Sequence, residues 1–196
     1  MYKTTLLFVF LTLSQCYAIL GLKQREVGFI SGYGYGISQN SVPEGNYQPL
    51  YFMGHFGLDL NKFVKNPFFQ KAIFTLYSEP QINVVYISSW ETGNTFQEYE
   101  FGINSGFKLM YPIYKGFYIA FLGGSGPHSI TTHTVRQYRG FAFSDNFGYG
   151  AYLFLNKKVS FSAMFRLRHM SNLNIFTPNS GINTYNFHFG LSWWIF

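Results

Sequence analysis

The sequence predicts an all-β fold: an eight-stranded antiparallel transmembrane β-barrel of the outer-membrane type. Three observations predict it. Aromatic residues make up 22% of the 196-residue chain and charged residues only 11%, where ordinary globular domains carry about a quarter charged. The apolar residues, 47% of the total, fall in short runs that alternate with polar ones, the period of a strand with two unlike faces. Short and long connections also alternate along the chain, as in barrels with short periplasmic turns and longer external loops.

Taken in order, residues 1–18 read as a secretory signal, with Lys3 before an apolar run and Cys16-Tyr17-Ala18 as a small-residue cleavage site. The apolar run is far shorter than the roughly 20 residues a membrane helix needs, and no later stretch reaches that length. The expectation is a signal peptide at 1–18 and one barrel domain at 19–196. Cys16 is the sole cysteine, so the mature chain has no disulfide.

The strands follow from parity. Val27, Phe29, Tyr33, Tyr35 and Ile37 mark the first, and Leu50, Phe52, Phe56, Leu58 and Leu60 the second, with His55 and Asp59 on its other face. Residues 71–77 and 81–87 make a third strand bent at Pro80. Phe101, Ile103, Phe107 and Leu109 make the fourth, with Glu100, Asn104 and Lys108 opposite. Phe117, Ile119 and Phe121 make the fifth, which runs into a glycine-rich bend at residues 123–127. Phe141, Phe143, Phe147, Tyr149, Leu153 and Leu155 make the sixth, backed by Ala142, Ser144, Gly148 and Gly150. Eight strands close a barrel that side chains can fill, and inward Gly and Ser suit so narrow a lumen. Long loops fall at 88–95, 125–140 and 173–182. The final Trp193-Trp194-Ile195-Phe196 reads as a closing strand with rim-anchoring tryptophans.

The seventh and eighth strands carry the chemistry. Phe161, Ala163, Phe165 and Leu167 form an apolar face that ends in His169 and Ser171. Residues two apart share one side of a strand. A serine hydroxyl becomes a nucleophile when a neighbouring base takes its proton, and histidine is the usual base near neutral pH. The eighth strand continues the theme. Tyr185, Phe187, Phe189, Leu191, Trp193 and Ile195 share a parity that Asn183 opens. A hairpin between the two would set Asn183 beside His169 and Ser171. The plainer reading is that these polar groups mark the membrane interface.

Other patterns weigh less. The net charge of +6 serves general solubility or attraction to anionic lipid head groups; without Lys/Arg runs it does not suggest nucleic acid. Residues 123–126 lack the Lys-Ser/Thr and the helix of a phosphate loop. His55, His128, His133 and His188 have no metal-ligand spacing. Glu98 and Glu100 lie two apart on a strand edge, not facing across a cleft as glycosidase carboxylates do. Arg136 and Arg139 flank a long loop, as ordinary loop charge or as holders of lipid phosphates.

Arg168-His169-Met170-Ser171-Asn172, followed by Pro178-Asn179-Ser180-Gly181, resembles the lipid A 3-O-deacylase (PagL) family of outer-membrane hydrolases. Gly126-Pro127-His128 and the segment at residues 139–146 resemble it too. The resemblance implies Ser171 as nucleophile, His169 as general base, Asn172 as a helper at the oxyanion and Asp145 as a nearby structural polar group. It implies lipid A or lipopolysaccharide as substrate in the outer membrane, with no cofactor. The family's third triad residue, a glutamate after the turn glycine, is Asn183 here. An amide oxygen can fix the imidazole tautomer but offers no charge to imidazolium. Asn183 then works more weakly, another group orients His169, or activity is lost. The expectation is a carboxylic ester hydrolase acting at the outer wall. A structural or adhesive barrel and a lipid acyltransferase are the alternatives, and a homodimer stays open.

Overall fold

The computed structural model describes residues 24–37, 44–89, 94–131, 134 and 136–195. The expected signal segment and the terminal Phe196 lie outside the described residues. Eight strands follow one another: β1 (Gln24–Gly36), β2 (Glu44–Asp59), β3 (Ile73–Ser89), β4 (Thr95–Tyr114), β5 (Phe117–Ile130), β6 (Gly140–Phe154), β7 (Val159–Ser171) and β8 (Ile182–Trp194). Each pairs antiparallel with the next, and β1 pairs with β8, closing the barrel. Closure leaves no unpaired edge in the membrane, where no water is available to satisfy one.

The alternation read from sequence sets the two faces. Phe29, Tyr33, Phe107, Phe121, Phe147, Phe187 and Phe189 lie exposed on the outer wall. The interleaved residues fill the lumen. Near the end that carries the chain termini, Lys108 Nζ donates to Glu26 at 2.5 Å and to Tyr152 at 3.1 Å, and Arg166 holds Glu79 through two bonds of 2.5 and 2.9 Å. His55 stands between Glu26 and Glu79. Higher up, Arg168 bonds Glu100 at 2.9 Å, the Tyr51 hydroxyl and Ser144, while Tyr47 also donates to Glu100. Each buried charge has an opposite partner, which offsets its desolvation.

Two expectations change. The glycine-rich stretch at 123–127 does not end the strand: β5 continues to Ile130, its ladder to β4 skipping only Gly126 and Pro127 in this stretch. The glycines let strands approach: a Cβ at Gly126 would overlap the Ile103 carbonyl, and one at Gly124 would meet the Tyr77 hydroxyl. The external loop therefore begins near 131, not 125. The third strand is single, as expected, and Pro80 marks an irregularity in it. β3 is continuous, and its ladder to β2 skips the rungs at Pro80 and Glu79, consistent with a proline that has no N–H to donate. Trp193 faces out, but Trp194 turns into the lumen, where its indole N–H donates to Ser160 at 2.7 Å.

The connections sort by end. β4–β5 turns through Lys115-Gly116, with Gly116 at φ 74°, a value that favours glycine. β6–β7 turns at residues 155–158. β2–β3 is joined at the same end by residues 60–72, which include a 3₁₀ turn (Asn61–Phe63) and a single helical turn (Pro67–Gln70). At the opposite end, the described loop residues 131, 134, 136–139 and 172–181 border the candidate site.

Candidate active site

Strand register builds the site. β6 pairs Asp145 with His169, and β8 pairs Asn183 with the same His169. β5 adds Ser125 opposite Asp145. Four polar side chains thus lie on one rung across four strands, on the outer wall. Directly opposed residues hold their Cβ atoms about 4.5–5.5 Å apart, so each lies within reach of the next.

The hydrogen bonds run from both ends of this rung. His169 Nδ1 lies 2.7 Å from Asn183 Oδ1. An amide oxygen only accepts, so Nδ1 carries a proton, and in the neutral ring Nε2 keeps its lone pair. That is the tautomer a general base requires. Ser125 donates to Asp145 Oδ1 at 2.5 Å. His169 and Asp145 are exposed, and Asn183 is half-buried.

Ser171 is the last residue of β7 and shares the outer face with His169. It is half-buried beside Phe143. Among the described residues its hydroxyl makes no hydrogen bond to His169. Such bonds often tighten only when substrate arrives. The hairpin thus brings His169 and Asn183 into contact and sets Ser171 two residues beyond His169 on the same face.

Gly181 explains why the imidazole can stand where it does. Its φ is 72°, and a Cβ there would lie 2.6 Å from His169 Cε1 and 3.3 Å from Nε2. Only glycine suits both the backbone and the space.

The loops above are laced together. Arg136 Nε donates to the Gly181 carbonyl at 2.8 Å and Nη2 to the Ser180 carbonyl at 3.0 Å. Ser180 N–H returns a bond to Arg136 O at 2.8 Å, and Tyr138 N–H donates to Pro178 O at 2.9 Å. The reading of Arg136 as a phosphate holder gives way to a strap, because its guanidinium is engaged on the loop that places Gly181. Arg139 lies exposed nearby.

Asn172 also changes role. It is fully buried, its side-chain amide donates to the Phe176 carbonyl at 2.9 Å, and its N–H is received by Asn179 Oδ1 at 2.8 Å. Parity carries it inward, so the side chain clamps the loop and does not face the outer wall. Directly after it, Leu173 and Asn174 adopt φ of 57° and 62°. Asparagine tolerates this region, whereas leucine is strained there. Asn179 holds Asn174 Oδ1 at 2.8 Å, which keeps the turn in place.

A shallow depression of about 440 Å³ opens below the polar rung, with Asp145, His169 and Asn183 at its upper edge and Phe147, Leu167 and Tyr185 farther down. Polar groups thus border an apolar floor that faces hydrocarbon. Among the described residues, no group of three His, Cys, Asp or Glu side chains is placed to hold a metal.

The resemblance named Asp145 as a nearby polar group, but sequence reasoning did not pair it with His169, nor find the parts played by Ser125, Gly181 and Arg136. The first had a signal: counting back from the short turn at 155–158 lays Asp145 beside His169. The other contacts depend on loop conformation, which alternation does not encode.

Known structures share the architecture. The crystal structure of the outer-membrane enzyme PagL aligns with a TM-score of 0.53 at 16% identity, over 84% of this chain and 97% of that one. Neisserial surface protein A (NspA) aligns with a TM-score of 0.58 at 9% identity, over 87% and 97%. At such identities the likeness is one of fold, an outer-membrane barrel. No curated protein sequence matches the chain. By sequence, residues 113–192, which carry Asp145, His169, Ser171 and Asn183, match the lipid A 3-O-deacylase (PagL) family.

Proposed function

We propose that this barrel hydrolyses an ester-linked acyl chain of lipid A at its outer wall. The observation that carries the reading is the His169–Asn183 contact of 2.7 Å on the lipid-facing side, with Ser171 next on that face and the whole arrangement inside the segment that matches the deacylase family. A lipid substrate meets this wall by lateral diffusion and needs no passage through the lumen.

In this reading His169 Nε2 accepts the Ser171 proton as Oγ attacks the ester carbonyl. The tetrahedral intermediate collapses, and the departing lipid A alkoxide takes the proton from imidazolium. Water, activated by the same nitrogen, then attacks the acyl-serine and releases the fatty acid and free Ser171. Asn183 holds the tautomer. Asp145 stands on the other side of His169 and supplies the negative charge that Asn183 lacks, bonded to Ser125 in the resting state. The backbone N–H groups of the Leu173–Asn174 turn, freed from the strand ladder, serve the oxyanion. Donors of that kind are typically worth about 3 kcal/mol each. The acyl chain lies along Phe147, Leu167 and Tyr185.

Mass spectrometry of lipid A from cells expressing the native chain or Ser171→Ala tests the proposal. Loss of one acyl chain with the native protein alone is expected. A gain of mass would instead mean acyl transfer. Identical lipid A in both strains would overturn the enzymatic reading in favour of a structural barrel.

A further inference from the structure

The two ends of the barrel differ in charge. At the end where β1 begins and β8 finishes, the described charges are Arg25, Lys62, Lys65, Lys71, Lys115, Lys157 and Lys158, against the carboxylate of Asp59, which pairs with Arg25. At the loop end the described charged residues are Arg136 and Arg139 against Glu44, Glu98 and Asp145. In the lumen Lys108, Arg166 and Arg168 are matched by Glu26, Glu79 and Glu100. The chain's positive excess therefore gathers at one rim.

Its distribution there is circumferential. The six lysines are all exposed, and they come from three separate connections: β2–β3, β4–β5 and β6–β7. These lie on successive sectors of the barrel, so the charge forms a collar and not a patch. The collar borders lipid-facing apolar side chains at the same height. Phe63 is 60% exposed, Tyr114 74%, Leu155 60% and Ile195 55%. Lys62 Nζ lies 4.9 Å from the centre of the Phe63 ring. A flat protein partner would contact one sector; an annulus of lipid contacts all of them.

We infer that this rim is a binding surface for anionic phospholipid head groups of the periplasmic leaflet. The lysines meet the phosphodiester groups, while Phe63, Tyr114 and Leu155 enter the boundary between head groups and acyl chains. Short lysine-bearing turns hold the ammonium groups near the bilayer surface, within the distance over which surface charge acts. The inference rests on the membrane reading of the barrel and not on the esterase chemistry.

Fluorescence quenching by brominated lipids tests it. The full chain carrying Trp90→Phe is reconstituted in vesicles of phosphatidylcholine and phosphatidylglycerol, with one lipid brominated at a time. Trp193, 50% exposed on the outer wall at this rim, is the reporter, and Trp194 is shielded in the lumen. The native rim should favour phosphatidylglycerol by about threefold to tenfold, falling toward parity in molar salt. Changing all six lysines to Gln should abolish the preference. Two triple variants, one of the β2–β3 lysines and one of the other three, should each lose part of it, and heat-modifiable mobility on gels reports that each barrel is folded. Arg139→Gln, at the opposite rim, should leave it intact. A native preference near one, a preference that survives removal of the lysines, or a collar that binds acidic muropeptides but not phosphatidylglycerol would each overturn the inference.

Discussion

Arg166 and Arg168 point into the barrel, while Leu167, His169 and Ser171, from the same strand, point out of it. The inward pair is fully buried and tied to Glu79 and Glu100 on β3 and β4. Of the outward residues, His169 is tied to Asn183 on the next strand, and with Leu167 it borders a depression open to lipid. Adjacent residues of one chain thus do opposite work. Inward charges satisfy one another and hold the barrel together. Outward polar groups face the bilayer, where a lipid can reach them.

The sharpest way to test this division is to alter each face and measure both stability and turnover. Ser171→Ala or His169→Ala should lower deacylation by about 10⁴-fold or more, with no change in the urea midpoint of the barrel in detergent. A large fall in stability on either change would erase the distinction. Arg166→Met should do the reverse, costing about 3–5 kcal/mol of folding stability by leaving Glu79 without its main partner, as read by equilibrium unfolding in lipid vesicles.

Two substitutions sharpen the outer face itself. Asp145→Asn should reduce turnover about tenfold to a hundredfold, the scale expected when a charge one strand from imidazolium is lost, with KM little changed in a lipid A kinetic assay. Asn183→Glu should raise ester hydrolysis about tenfold by placing a charge on Nδ1; a variant no faster than the parent would remove Asn183 from the triad role. The smallest effect belongs to the turn above them. Leu173→Gly should stabilise the barrel by about 1 kcal/mol in unfolding measurements, because glycine adopts φ near 57° without strain.

The outer face was largely legible in the sequence, because lipid imposes one rule on every outward position. Phe161, Phe165 and Leu167 announce their side by period alone, and His169 is conspicuous as a departure from it. The lumen was legible as polar but not in its pairings. Arg166 and Glu79 are 87 residues apart, and nothing local says that they meet. Trp194 was legible by parity, since every even residue of β8 faces inward, but its bond to Ser160 was not. The glycines of β5 misled for a related reason: their usual meaning is a bend, whereas here small size serves close approach to Ile103 and Tyr77. Arg136 read as a ligand-binding charge because its carbonyl partners in the other loop are invisible to composition.

The packed lumen has a consequence for the cell. A shell whose bore is occupied by interlocked arginine, lysine, glutamate and tyrosine side chains offers nutrients and antibiotics no passage. Such a protein can be made in large amounts without rendering the envelope leaky.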